Sequence, residues 1–149
     1  MPQHISDSIT ELVLEIFRLN GELIAMGDEM VGDLGLTSAR WQVMGAIALA
    51  KAPLPIAQIA RNMGLTRQAV QRTANELEGE GHIRFAPNPN HQRAKLAMLT
   101  RKGEAAYAAS LERWEPAAAA LGAGSPLKDI ATTLATLRRV RQRISKDRK

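Results

Sequence analysis

Apolar residues recur every three or four positions along most of the chain, which is the spacing of amphipathic helices. The first such stretch predicts a long helix from Ile5 to about Val31 with an acidic outer face. A second helix is predicted to run to about Ala50, and Thr37 and Ser38 are both suitable caps for its start. Four side chains mark the predicted buried side of this second helix: Trp41, Met44, Ile47 and Ala48.

The stretch from Pro55 to Ile83 predicts two short helices joined by a tight turn. Gly64 supplies the left-handed residue that ends the first helix, and Thr66 is a good N-cap for the second. Pro55 is tolerated in a first turn, but no side-chain cap precedes it. The predicted buried residues are Ile56, Ile59, Ala60 and Met63 in the first helix and Val70, Ala74 and Leu77 in the second.

A β-hairpin is predicted directly after these two helices. Its strands cover residues 83–86 and 93–99, and its loop, residues 87–92, contains two prolines and two asparagines. A hairpin that follows a helix–turn–helix is the wing of a winged helix, and we use the name wing for residues 83–99.

Two further helices are predicted after the wing. Thr100 caps the first, in which Pro116 predicts a kink or a restart. Ser125 is predicted to cap the last helix, with Pro126 as its first residue. The last helix carries a narrow apolar stripe close to a heptad seam, which requires a partner helix. The helix after the wing has an apolar stripe too, formed by Tyr107, Leu111, Trp114, Ala118 and Leu121. The stripe of the last helix is formed by Leu127, Ile130, Leu134, Leu137, Val140 and Ile144.

The predicted fold class is therefore mainly α with a small β-hairpin wing. A single domain over residues 1–149 is expected, in which a winged helix-turn-helix at 37–103 is flanked by N- and C-terminal dimerisation helices at 1–33 and 104–149. Packing the apolar stripes of the flanking helices against those of a second chain predicts a two-fold homodimer.

Composition excludes several kinds of chemistry. The 149 residues include no cysteine, and the three histidines lie far apart, so we expect no disulfide, no metal site and no cofactor. The sequence has no apolar run of membrane-spanning length and no signal-peptide pattern, which predicts a cytoplasmic protein without a membrane partner. The sequence also lacks a phosphate-binding glycine loop and a cluster of histidines and carboxylates, so we do not expect an enzyme or a catalytic residue.

Charge is distributed unevenly, and its distribution points to nucleic acid. Residues 1–33 carry one basic and seven acidic side chains, whereas residues 34–103 carry ten basic and three acidic ones. A positive excess centred on the helix–turn–helix is expected if double-stranded DNA is the partner of that segment.

The outward face of the second short helix carries Gln68, Gln71, Arg72 and Asn75, which are side chains that hydrogen-bond to base edges in a major groove. Arg93 stands where the loop returns and is suited to a narrow minor groove. The alternatives are a merely solvated helix face and a surface hairpin with ordinary charges. The full predicted DNA-binding set is Thr66, Arg67, Gln68, Gln71, Arg72, Asn75, Arg84, Arg93 and Lys95.

Two motifs resemble the MarR family of bacterial transcriptional regulators. The first is Met63-Gly-Leu-Thr-Arg-Gln-Ala-Val-Gln-Arg-Thr, followed by Leu77-Glu and Gly81. The second is the wing motif, in which Arg93 and Leu99-Thr-Arg-Lys-Gly match the family pattern while His91 stands where an Asp is usual. The resemblance extends over nearly the whole chain.

The resemblance implies a homodimeric, sequence-specific regulator, most often a repressor, that binds an inverted-repeat operator and is released by a small-molecule effector. By position, the implied ligand site involves Phe17, Arg40, Trp41 and Met44. The alternative for Trp41 and Met44 is that they are core residues, because aromatic and methionine side chains at helical spacing usually are. The alternative function is an architectural, winged-helix DNA binder without a specific operator.

Overall fold

The computed structural model describes residues 4–147. Over this range the helices are α1 (Ile5–Val31), α2 (Ser38–Leu49), α3 (Ile56–Met63), α4 (Arg67–Gly79), α5 (Arg101–Gly122) and α6 (Leu127–Asp147), with a short 3-10 turn at Gly32–Leu34 after α1. An antiparallel sheet of three strands, β1 (Leu54–Pro55), β2 (Ile83–Ala86) and β3 (Leu96–Leu99), has the order β1-β3-β2. The prediction of a mainly α fold with a small β-hairpin wing is confirmed.

The chain divides into two compact units, one up to Trp114 and one from Glu115. In the first unit, buried side chains of α2, α3 and α4 pack with the sheet around Met44, Ile59 and Leu77, which are completely buried. The second unit consists of the end of α5 and all of α6. The predicted dimerisation segments include residues 1–3 and 148–149, which lie outside the described residues, and their role in dimerisation stays a prediction.

Helix starts follow the predicted caps in most places. The hydroxyl of Thr37 accepts from the N–H of Arg40, which identifies Thr37 rather than Ser38 as the cap of α2. Among the described residues, no side chain caps α3. Helix α6 begins at Leu127, one residue later than predicted, because the carbonyl of Pro126 accepts the first helical bond, from Ile130, and makes Pro126 the N-cap. Helix α5 continues through Pro116, so the predicted restart does not occur.

Two predictions about buried faces and strands were wrong. Ala48 is exposed, because it lies in the last turn of α2 beyond the core, and Val43 is buried instead. The returning strand begins at Leu96 and not at residue 93, because the backbone N–H groups of Arg93 and Ala94 bond locally to His91. Strand β1 was not predicted, and its two residues pair with Ala97 and Leu96 of β3.

The junction between α4, the wing and α5 is packed closely around the backbone of His82. The N–H of His82 donates to the carbonyl of Leu77, and its carbonyl accepts from the N–H of Thr100 at 3.0 Å. The Thr100 hydroxyl donates to the carbonyl of Gly81 and accepts from the N–H of Gly103, so Thr100 caps α5 as predicted. Gly103 is buried against this junction.

The imidazole of His82 is buried, and its Nδ1 has no hydrogen-bond partner within the described range of residues. Burial lowers the pKa of His82 below its usual range, and the nearby charge of Lys102 lowers it further. The folded protein therefore binds a proton at His82 less readily than the unfolded chain does. Because of this difference, the contribution of His82 to folding stability is present above the ordinary histidine value of 6.5 and decreases as the pH falls below it.

We expect urea unfolding to show a lower free energy of unfolding at about pH 5.5 than at about pH 7.5. The variant His82→Leu removes this titrating group and should reduce the dependence. The variant His4→Gln, at an exposed position, is the matched control and should retain it. An unchanged pH dependence in His82→Leu would show that other groups are responsible.

The part of the chain that the structure describes contains no helix with the length and apolar character needed to cross a bilayer.

Candidate nucleic-acid interface

Helix α4 is placed by local signals in the sequence. Gly64 adopts the left-handed conformation, with φ 68°, and ends α3. The Thr66 hydroxyl then accepts from the N–H of Ala69 at 3.1 Å and starts α4. Val70, Ala74 and Leu77 are buried against the core as predicted. Because one face of α4 is buried, its other face is directed to solvent.

The solvent face of α4 carries the four side chains that the sequence predicted for reading bases. All four are exposed: Gln68, Gln71, Arg72 and Asn75. The amide of Gln71 donates to Oδ1 of Asn75 at 2.8 Å, one helical turn away. This bond restricts the two amides and leaves the side-chain oxygen of Gln71 and the side-chain nitrogen of Asn75 available to an external partner.

This face forms one wall of an open cleft of about 1240 Å³. The opposite wall is the wing, and the start of α3 closes one side. The cleft is lined by Pro55, Ile56 and Ala57, by Arg67, Gln68, Gln71, Arg72, Asn75, Glu76 and Glu78 of α4, and by Phe85, His91, Arg93, Ala94 and Lys95 of the wing.

The cleft brings together seven of the nine residues in the predicted DNA-binding set. The two others are Thr66 and Arg84. The hydroxyl of Thr66 is used to cap α4. Arg84 precedes Phe85 in β2, and since neighbouring side chains of a strand point to opposite faces, Arg84 projects away from the face on which Phe85 lines the cleft.

Two acidic residues, Glu76 and Glu78, also line the cleft, although neither was predicted to belong to the site. Nε of Arg40 lies 3.3 Å from a carboxylate oxygen of Glu76, and Nη1 of Arg40 donates to the carbonyl of Gly35. Arg40 was predicted to line a ligand site. In the structure it joins the start of α2 to α4 and partly neutralises a carboxylate in the cleft.

The loop of the wing is closed by His91. Nδ1 of its imidazole accepts from the backbone N–H of Arg93 at 3.3 Å and of Ala94 at 3.1 Å. The N–H of His91 in turn donates to the carbonyl of Asn88. His91 stands where the family usually has an Asp, and its role as a hydrogen-bond acceptor was not predicted from the sequence.

The predicted ligand residues are distributed over different environments. Phe17 is 68% exposed on α1, whereas Met44 is completely buried in the core. Trp41 is partly buried and meets Trp114 edge-to-face, with ring centroids 5.7 Å apart. A role of these residues in ligand binding stays a prediction.

Beside the tryptophan pair, Arg113 connects α5 to the turn after α1. Its guanidinium forms a two-pronged ion pair with the carboxylate of Asp33 and also donates to the carbonyl of Met30. The hydrogen bond from Arg113 lowers the pKa of Asp33 below its usual range. Within residues 4–147, no group of three or more potential ligands is arranged to hold a metal ion.

The architecture defines a winged helix-turn-helix protein. Comparison with known proteins gives the family: residues 34–94 match the model of the MarR family. The chain is 38% identical over 109 residues to the uncharacterized protein Rv2011c of Mycobacterium tuberculosis, an alignment that covers 73% of this chain and 75% of that protein. The chain belongs to the MarR family of transcription regulators.

Solved structures show the same fold at lower sequence identity. An Escherichia coli MarR variant complexed with operator DNA superposes with a TM-score of 0.77 at 22% identity, covering 93% of this chain and 99% of that chain. CouR from Rhodococcus jostii, bound to p-coumaroyl-CoA, superposes with a TM-score of 0.78 at 22% identity, covering 93% and 95% respectively.

Proposed function

We propose that this protein is a homodimeric repressor that binds an inverted-repeat DNA operator in a sequence-specific manner and is released by a small ligand. The observation that carries the proposal is the cleft between α4 and the wing, where four base-reading side chains face Arg93 and Lys95. The operator-bound relative of the same fold supports it.

The two walls of the cleft are suited to different parts of a DNA duplex. Gln68, Gln71, Arg72 and Asn75 offer the donors and acceptors that discriminate base edges in a major groove. Arg67 and Lys95 offer charge to phosphates, which supplies affinity and salt dependence without reading sequence. Arg93 is suited to a narrow minor groove beside the site.

The proposed dimer is supported by apolar side chains that each unit leaves in solvent. In the first unit, Ile5 is 78% exposed and Leu14 and Leu19 about half exposed on α1. In the second unit, Leu127 is 85% exposed, and Ile130 and Leu134 are also exposed on α6. A second copy that covers these stripes would present two α4 helices to successive major grooves, which is why the operator is proposed to be an inverted repeat.

The proposed release by a small ligand is supported by CouR, which has been solved with p-coumaroyl-CoA. A ligand shifts the protein away from DNA only if it binds the DNA-incompetent arrangement more tightly. The proposed ligand site involves Phe17, Arg40, Trp41 and Met44.

The test is a titration of the purified protein against a fluorescent duplex from its own upstream region, at two salt concentrations and with random duplex as competitor. Binding that survives the competitor, with two chains per site, is expected. If competitor abolishes binding, the protein is an architectural binder or its operator lies elsewhere, and genome-wide selection of bound DNA separates these outcomes.

The pair of Arg40 and Glu76 gives a prediction about the electrostatics of the cleft. The variant Arg40→Ala leaves the Glu76 carboxylate without its partner, so DNA affinity should fall by about two- to fivefold on specific and random duplexes alike. Adding Glu76→Gln to Arg40→Ala should restore affinity, and fluorescence anisotropy at low salt measures both effects.

The matched control is Arg18→Ala, which removes the same charge from the exposed surface of α1. This control should bind as the unmodified protein does. A double variant that binds as weakly as Arg40→Ala alone would show that Arg40 does not act through Glu76.

A further inference from the structure

Closure of the loop by His91 determines where the basic residues of the wing project. Strand β3 pairs with its neighbours only from Leu96 onward, so Arg93 and Lys95 lie on a segment that the sheet does not hold. The two backbone N–H groups bonded to Nδ1 of His91 belong to Arg93 itself and to Ala94. The imidazole therefore fixes the backbone from which Arg93 enters the cleft.

An imidazole nitrogen accepts a hydrogen bond only while it carries no proton. Nδ1 of His91 must therefore be unprotonated, and the single proton of the neutral ring must be on Nε2. When the ring gains a second proton, Nδ1 becomes a donor that faces two other donors, so both bonds are lost.

We propose that His91 is a positioning residue of the wing: its unprotonated Nδ1 closes the loop that directs Arg93 and Lys95 into the cleft, and protonation of His91 opens the loop and weakens DNA binding. This inference rests on the proposed DNA-binding function. It makes operator affinity depend on pH through one side chain.

The direction of the pH effect separates this proposal from simple charge attraction. The charged groups that line the cleft with His91 are Arg93 and Lys95 of the wing and Arg67, Arg72, Glu76 and Glu78 of α4. If His91 acted as one more cation near phosphates, its protonation would strengthen binding. Loss of the loop bonds predicts the opposite sign.

The test is the affinity for the fluorescent upstream duplex at constant salt, at about pH 8 and about pH 5.5, the range in which histidines commonly change charge. The protein should bind about fivefold more weakly at the lower pH, the scale expected from loss of a net hydrogen bond. Three variants complete the design: H91N, H91L and H91K.

Asparagine bonds to the backbone two residues ahead through a carbonyl oxygen that does not titrate. H91N is therefore expected to bind more tightly than H91L and to lose the pH dependence. H91L, which has no acceptor, should bind weakly at both pH values. H91K carries a permanent charge without an acceptor, so it should also bind weakly at both.

Two results would overturn the proposal. The first is an operator affinity of the unmodified protein that, compared with the affinity of H91N at the same pH, stays constant or rises as the pH falls. H91N is the reference because the titration of His82 and of all other groups is common to both proteins. The other is H91K binding as tightly as the unmodified protein or more tightly, which would assign His91 to direct contact with phosphate.

A measurement without DNA tests the loop separately from the function. In proton–nitrogen NMR spectra, Nδ1 of His91 is expected to be unprotonated at high pH, and the amides of Arg93 and Ala94 should titrate together with the ring. In H91N these amides should not titrate in this range. A proton on Nδ1 at high pH would refute the inference, whereas failure of the unmodified protein to bind specific duplex would count against the proposed function alone.

Discussion

The variant Gly103→Ala is expected to lose about 3 kcal/mol of folding free energy, at the upper end of what single substitutions cost. A Cβ at Gly103 would overlap the carbonyl oxygen of His82 and lie 2.9 Å from its carbonyl carbon. That carbonyl also accepts from the N–H of Thr100, so it cannot turn away without breaking the bond. The start of α5 and the end of α4 would have to separate.

Unfolding in urea, followed by the fluorescence of Trp41 and Trp114, measures this loss. The matched control is Gly79→Ala, because a Cβ at Gly79 would have no neighbouring atom of residues 4–147 within 4 Å and Gly79 is in a helix. The control should change stability by less than about 1 kcal/mol, in the stabilising direction. Equal unfolding midpoints for Gly103→Ala and the unmodified protein would show that the junction accommodates a Cβ at this position without loss of stability.

The same contacts explain the spacing of threonine and glycine in the wing motif. Thr100 satisfies the N–H of Gly103 through its hydroxyl, and Gly103 admits the backbone of His82 because it has no side chain. Gly103 stands three positions after Thr100 because an N-cap side chain reaches the N–H of the third helical residue. Thr100 and Gly103 of this motif therefore pack the start of α5 against the backbone of Gly81 and His82, directly before the wing.

The sequence predicted the parts of the fold that local signals determine. Gly64 and Thr66 bound the turn before α4, and the spacing of Val70, Ala74 and Leu77 assigned its buried face, which in turn assigned its exposed face. Each of these features depends on residues at most a few positions apart, so periodicity and capping rules are sufficient to find them.

The features that were missed depend on pairings between distant residues or on competition for backbone groups. Strand β1 has two residues, too few for any period, and exists because β3, about forty residues later, supplies its partners. The contact of Arg40 with Glu76 joins residues 36 positions apart. The start of β3 was predicted too early. The imidazole of His91 accepts hydrogen bonds from the N–H groups of Arg93 and Ala94, which the sequence pattern had assigned to the strand.

The variant Arg72→Ala is expected to cost about 1–3 kcal/mol of binding free energy on the operator and to relax discrimination at one base position. Arg72 lines the cleft from the exposed face of α4, and its guanidinium makes no hydrogen bond or ion pair with any other residue in the described part of the chain. Its guanidinium is therefore free to form two bonds with a guanine. Because alanine is the best helix former, α4 itself should not be weakened.

Lys95→Ala is the matched comparison, since it removes one positive charge from the opposite wall of the same cleft. This variant should weaken binding to operator and random duplex by the same factor and reduce the salt slope by about one. Arg72→Ala should instead weaken binding to the operator far more than to random duplex. It should also reduce the difference in affinity between the operator and operators that carry a single base change. An equal loss on both duplexes would assign Arg72 to the phosphates, which would leave the amides of Gln68, Gln71 and Asn75 as the base-reading groups of α4.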